Sequence, residues 1–211
     1  PQLQERQVAL SYAFLPLDRN LNYIGFAMPL QPNITGESGA QPLRAGVSVG
    51  WVNAGVSNID GRDSAGNHTR DYSHSENAFY MSFALQPAEN FSIGLSGKVL
   101  RNSMPNMTME DEALVSQGFG MDLGIYYRPL PGLSLGAAVR DLLSKYTWNT
   151  DKVFDRGTST TYEFPQVIRV GAAYRVPQEW LLLSVDVETS DKQDTRIHAG
   201  AEWTYEQVGA L

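Results

Sequence analysis

A chain of 211 residues without cysteine leaves room for one domain and excludes a disulfide scaffold, a thiolate metal site and a cysteine nucleophile. A formal charge of −7, a pI near 4.9 and the lack of any basic cluster argue against a nucleic-acid partner. Hydrophobic residues make up 42% and charged residues 18%, which disfavours disorder. No run approaches the roughly 18 apolar residues of a spanning helix, but membrane β-barrels stay open, because their strands cross with about 9–11 residues and only alternate side chains face lipid.

Residues 1–6 lack the apolar stretch of a signal peptide, so the chain reads as a mature form or an internal piece. Beyond them, period two dominates. Weak alternation marks strands at 8–15, 21–30, 45–52 and 77–86. At 91–100, Phe91, Ile93, Leu95 and Val99 alternate with Ser92, Gly94, Ser96 and Lys98. At 118–128, Phe119, Met121, Leu123, Ile125 and Tyr127 alternate with glycines, Asp122 and Arg128. Segments 133–140 and 196–206 repeat this pattern, and 167–175 and 180–188 show it more weakly. Such alternation places one apolar and one polar face on each strand. The reading gives ten strands, no helical period, and at most one helical turn at 111–117.

The connections sort by length. Pro87-Ala88-Glu89-Asn90, Pro129-Leu130-Pro131-Gly132 and Val176-Pro177-Gln178-Glu179 are tight turns. Long polar loops at 59–76, 103–117 and 144–165 alternate with them, so one end of an up-and-down sheet carries turns and the other carries loops. Outer-membrane barrels are laid out in this way. Segment 31–43, long at the turn end, and 18–20, short at the loop end, depart from the rule.

On the polar face the lumen-facing candidates are Lys98, Asp122, Arg128, Arg140, Asp186, Glu188, His198 and Glu202, joined by Asp141, Arg169, Arg175 and Arg196. Both signs are present, which predicts ion pairs across that face. Aromatics at strand ends, Trp180 foremost, are candidates for an interfacial girdle. Met104, Met107 and Met109 offer soft apolar contacts in a loop that could meet a partner.

The stretch GFGMDLGIYYRPLPGLSLGAAVRDL at 118–142 resembles the PorV/PorQ-like outer-membrane barrels, relatives of the FadL-type transport barrels. ALSYAFLPLDRNLNYIGFAMPL at 9–30, FSIGLSGKVLR at 91–101 and FPQVIRVGAAYR at 164–175 support the resemblance. It implies an all-β, antiparallel, up-and-down transmembrane barrel of about fourteen strands, so that residues 1–211 form one domain of a partial barrel. The implied function is non-enzymatic: passage of hydrophobic solutes, or docking and shuttling in an outer-membrane secretion or surface complex. The implied location is the bacterial outer membrane, with outer-membrane lipid and other surface proteins as partners. The alternative is a soluble or periplasmic β-sandwich that binds a ligand.

Neither catalysis nor a cofactor is expected. Residues 60–67 resemble a calcium loop, but Arg62 takes a ligand position and the spacing fails. His68 and His74 lack further ligands for zinc. Glu110-Asp111-Glu112 reads as a solvated loop tip, and His198 beside Glu202 as a structural ion pair. There is no Gly-x-Ser-x-Gly elbow and no phosphate loop.

Overall fold

The computed structural model describes residues 3, 5–30, 43–105, 113–151, 156–177 and 180–204. These residues form one antiparallel sheet of twelve strands. The strands are β1 (Gln7–Leu15), β2 (Arg19–Leu30), β3 (Arg44–Arg62), β4 (His68–Ala88), β5 (Phe91–Met104), β6 (Leu114–Leu130), β7 (Leu133–Leu142), β8 (Lys145–Asn149), β9 (Ser159–Glu163), β10 (Val167–Arg175), β11 (Leu181–Ser190) and β12 (Arg196–Trp203). The spatial order is β1 to β7, then β10, β11 and β12, while β8 and β9 form a hairpin off this path against β6.

The ten strands of the main path are those the alternation marks, because a period of two presents one apolar face only to an extended chain. Register keeps that face continuous. Leu10, Ile24, Trp51, Phe79, Val99 and Phe119 stand opposite one another from strand to strand. Above this row the face turns polar. Asn22 Nδ2 donates to Asn53 Oδ1, Asn53 Nδ2 donates to Ser75 Oγ and Asn77 Oδ1, and the Trp51 indole donates to the same Asn77 oxygen.

The ends also follow the sequence. Two-residue turns join β4 to β5 and β6 to β7, and Gly132 takes the positive φ of 82° that the second turn requires. Much of segment 59–76, expected as a loop, is instead a continuation of β3 and β4. Pairing resumes at Ile59↔Tyr72 beyond a bulge where Asn58 has φ 54°. The hairpin tip is closed by Asp63, whose carboxylate accepts the N–H groups of Ala65 and Asn67.

Three expectations need correction. The sheet is not closed into a barrel: among the described residues β1 pairs only with β2, and β12 only with β11. Alternation fixes two faces and a pairing direction, whereas closure depends on strand number and stagger, which alternation does not encode. Twelve strands are present rather than ten, because segment 144–165 holds β8 and β9. The sandwich alternative also fails in its detail, since the described residues make one sheet and not two.

Among the described residues no layered core accompanies this sheet. Ala45 and Leu100 are the buried hydrophobic residues, while Phe79, Val99 and Phe119 are 50%, 55% and 51% exposed. The chain exposes 15249 Å² in all.

Candidate functional site

Among the described residues the polar face carries four ion-pair contacts across β5–β7, β10 and β11. Lys98 on β5 is 5% exposed. Its ammonium donates to Asp122 Oδ1 on β6 at 2.7 Å and to Asp141 Oδ1 at the end of β7 at 2.5 Å. Burial pulls the Lys98 ammonium down, but hydrogen bonds to the two carboxylates and their charges outweigh it and leave the pKa raised. Asp122 Oδ1 also accepts the backbone N–H of Asp141, so one carboxylate ties the lysine to the strand end. Asp141 and Leu143 have φ 61° and 59°, and this left-handed pair turns the chain out of β7.

Two further pairs lie on the neighbouring strands. Arg169 Nε donates to Asp186 Oδ1 at 2.6 Å, and Arg140 approaches Glu188 at 3.6 Å. The hydrogen bond from Arg169 holds the Asp186 carboxyl below the usual carboxylate range. His198 stands opposite Asp186 and Glu202 opposite Leu182 on exposed β12, so the two share a face without forming a pair. Arg128 lies apart at the turn end, donating to the Glu89 carbonyl. The structure thus joins Lys98 with Asp122, and Arg140 with Glu188, and leaves Arg128 and Glu202 outside any cluster. Met104 ends β5, while Met107 and Met109 lie outside the described residues.

The hairpin β8–β9 folds across this face, within the segment 144–165 expected as a loop. Its link to the sheet is the pair Gln117↔Thr147, with Ser116 Oγ donating to the Thr147 carbonyl. The Phe164 N–H donates to the Ser144 carbonyl and holds the returning chain. Close approach explains two glycines. A Cβ at Gly118 would overlap the Lys145 carbonyl oxygen, and one at Gly120 would overlap Ser144 Oγ. Tyr146 packs on Phe164 with ring centroids 5.0 Å apart, and burial pushes its hydroxyl pKa up to about 12. The legible signal was the β-branched and aromatic run Thr160-Thr161-Tyr162 facing Tyr146-Thr147-Trp148.

Between hairpin and sheet lies a cleft of about 650 Å³, lined in part by Phe119, Asp141, Leu143, Ser144, Glu163 and Asp191. Ser144 is 3% exposed and its hydroxyl has no hydrogen-bond partner.

At the far tip of the β3–β4 hairpin, ligand atoms of Asp60, His68 and Asp71 lie within 4.8 Å of one another. The Asp60 carboxylate is already engaged: His68 holds Oδ1 at 2.7 Å and Arg62 holds Oδ2. The hydrogen bond from His68 lowers the Asp60 pKa, and the same bond raises that of His68. His74 is engaged elsewhere, with Asn102 and Glu76. The two histidines therefore do not share a site.

Fold and face together define an open, up-and-down antiparallel sheet, apolar on one side and laced with ion pairs on the other, with a hairpin strapped over the charged side. A family model described as F plasmid transfer operon, TraF, protein matches residues 21–188, and the chain belongs to this family. That match overturns the resemblance to PorV/PorQ-like and FadL-type barrels, and with it the outer-membrane transport or secretion role and the outer-membrane location. The segments that carried the resemblance are alternating hairpins, which any long-stranded antiparallel sheet produces. A β-rich protein without a closed barrel fits the family and the open sheet better. No curated protein and no solved structure matches the chain.

Proposed function

We propose that this chain is a non-enzymatic sheet component of a plasmid-transfer apparatus, and that its apolar face is a docking surface covered by another protein of that apparatus. The observation that carries this reading is the exposed area. A folded monomer of 23.3 kDa is expected to expose about 9,700 Å², against the 15249 Å² found. The excess is larger than one partner's share of a large obligate interface, roughly 1,000–2,500 Å² when the total is split between two partners. A face of Leu, Ile, Val, Phe and Trp this extensive marks an interaction surface rather than a solvated one.

The charged groups support a structural role. Lys98, Asp122, Asp141, Arg169 and Asp186 are bound to one another rather than aimed at a substrate. The net charge of −7 favours a protein partner over direct contact with DNA.

The test places a photo-crosslinking amino acid at Val99 in cells carrying the transfer operon. Crosslinks to another product of that operon, together with reduced mating when Val99 becomes Asp, are the expected outcome. Crosslinks to lipid alone, from a chain that runs in detergent as a heat-modifiable monomer, would overturn the proposal.

A further inference from the structure

Both edges of the sheet are bare. Among the described residues β1 has no neighbour beyond β2, and β12 has none beyond β11. A free edge presents a row of unpaired N–H and C=O groups, and proteins that keep one in solvent blunt it with charges, prolines, bulges or a very short strand. β1 runs for nine residues, Gln7–Leu15, with no charge and no proline, and its register with β2 is unbroken. β12 is exposed along its whole length. An edge of this kind is a template for strand addition.

The two edges also fit each other. Nine successive antiparallel pairings lead from β1 to β12, so these strands run in opposite directions. A β12 from one copy laid beside β1 of another therefore continues the antiparallel ladder. Length and parity then fix the register. β1 has nine residues and β12 has eight, so only two registers pair the whole of β12. Val8, Leu10, Tyr12 and Phe14 share one face of β1, and Ile197, Ala199, Ala201 and Trp203 share the face of β12 that continues the apolar side of the sheet. Of the two registers, only the one centred on Ser11↔Gly200 keeps those faces together. In it Leu10 stands opposite Ala201 and Tyr12 opposite Ala199, large side chains against small ones. On the other face Ala9, Ser11 and Ala13 stand opposite Glu202, Gly200 and His198, so no like charges oppose.

We propose that the chain associates head to tail with further copies of itself, β12 of one copy pairing with β1 of the next in the register Ser11↔Gly200. A strand of another protein would satisfy the same backbone groups, but the match of direction, length and side-chain size lies between the chain's own two edges. Each junction is heterologous and leaves one β1 and one β12 edge free, so copies add until a ring closes or a filament extends. The apolar face runs on from copy to copy, and the association does not depend on what docks against that face.

The chain has no cysteine, so introduced thiols report the pairing directly. A disulfide needs Cα atoms about 4.4–6.8 Å apart. On oxidation, Leu10→Cys mixed with Ala201→Cys, and Ala13→Cys mixed with His198→Cys, should each give a disulfide-linked dimer. Leu10→Cys mixed with Ile197→Cys, roughly 13 Å out of register, should give none, and neither should any single variant alone. Sedimentation of the unaltered chain, which needs no variant to fold, should show species above 23.3 kDa that grow with concentration. A monomer at every concentration, no linking in either in-register mixture, or equal linking in the off-register one overturns the proposal. So does a disulfide formed within one chain by the double variant Leu10→Cys and Ala201→Cys, because the sheet then closes on itself.

Discussion

Lys98 and Asp141, 43 positions apart, meet at 2.5 Å and fix the point where the chain leaves the main sheet. Asp141 ends β7 in a left-handed conformation, and the residues just after it begin the strap across β6. One buried ammonium therefore joins three consecutive strands of the sheet to the start of the hairpin.

Removing that ammonium leaves two carboxylates facing each other on a covered surface. Lys98→Met is expected to destabilise by about 3 kcal/mol, the usual cost of stranding a buried charge. The partial exposure of both partners holds the effect to the lower part of that range. Adding Asp141→Asn to Lys98→Met should recover part of the loss, since Asn keeps the left-handed backbone and removes one charge. Urea denaturation of the single and double variants measures both effects. A double variant less stable than the single would refute the shared-charge account.

The hairpin rests on two positions without side chains. Gly118→Ala forces a methyl group into the Lys145 carbonyl oxygen and should lift the strap. Gly124→Ala, with its nearest neighbour at 3.9 Å, should be tolerated. Trypsin cleavage at Arg156, in the hairpin between β8 and β9, reports the difference as a rate. Gly118→Ala should be cut about tenfold faster, a difference of 1.4 kcal/mol in opening, and Gly124→Ala at the parent rate.

Docking through the apolar face can be separated from stability with a pair of identical charge changes. Val99 is 55% exposed in the cross-strand row, and Leu17 is 82% exposed in the turn after β1. Neither Val99→Asp nor Leu17→Asp should shift the stability of the isolated chain by more than about 1 kcal/mol. Mating frequency should fall with Val99→Asp and stay unchanged with Leu17→Asp, where the positive φ of 65° also suits Asp. Equal losses from both would remove the face from the docking surface.

What the sequence disclosed follows from the range of each signal. The alternation of Phe91, Ile93 and Leu95 is local, and so it correctly placed β5 and its face. Lys98 and Asp122 were legible as sharing a face, because parity decides that, whereas Asp141 has the parity of Leu135 and Val139 and reaches Lys98 only through the register shift opposite Met121–Leu123 and its left-handed backbone. The meeting of all three at one point was not legible, because it depends on the turn at Leu143 and on the hairpin beyond. Pairing of Gln117 with Thr147 spans 30 positions and rests on one residue pair, too little to leave a periodic trace. Closure is not legible for a related reason: each strand of an open sheet has the same alternation as a strand of a closed one.

Stability depends on pH through two groups whose shifts have opposite signs. Asp186 has a folded pKa below its unfolded value of about 3.9, because Arg169 stabilises the carboxylate. Its contribution is present above that unfolded value and is lost as pH falls through the folded one. His68 has a folded pKa above its unfolded value of about 6.5, because Asp60 stabilises the imidazolium. Its contribution is present below pH 6.5 and is lost as pH rises through the folded value. Denaturation midpoints measured from pH 2 to 9 should therefore fall at both ends. Asp186→Asn should flatten the acid limb below about pH 4 and leave the neutral limb intact. His68→Gln should flatten the decline around and above neutrality and, because the His68 bond is the largest cause of the lowered Asp60 pKa, also weaken the acid limb in part. If His68→Gln follows the parent curve through neutral pH, the His68–Asp60 contact does not form in solution.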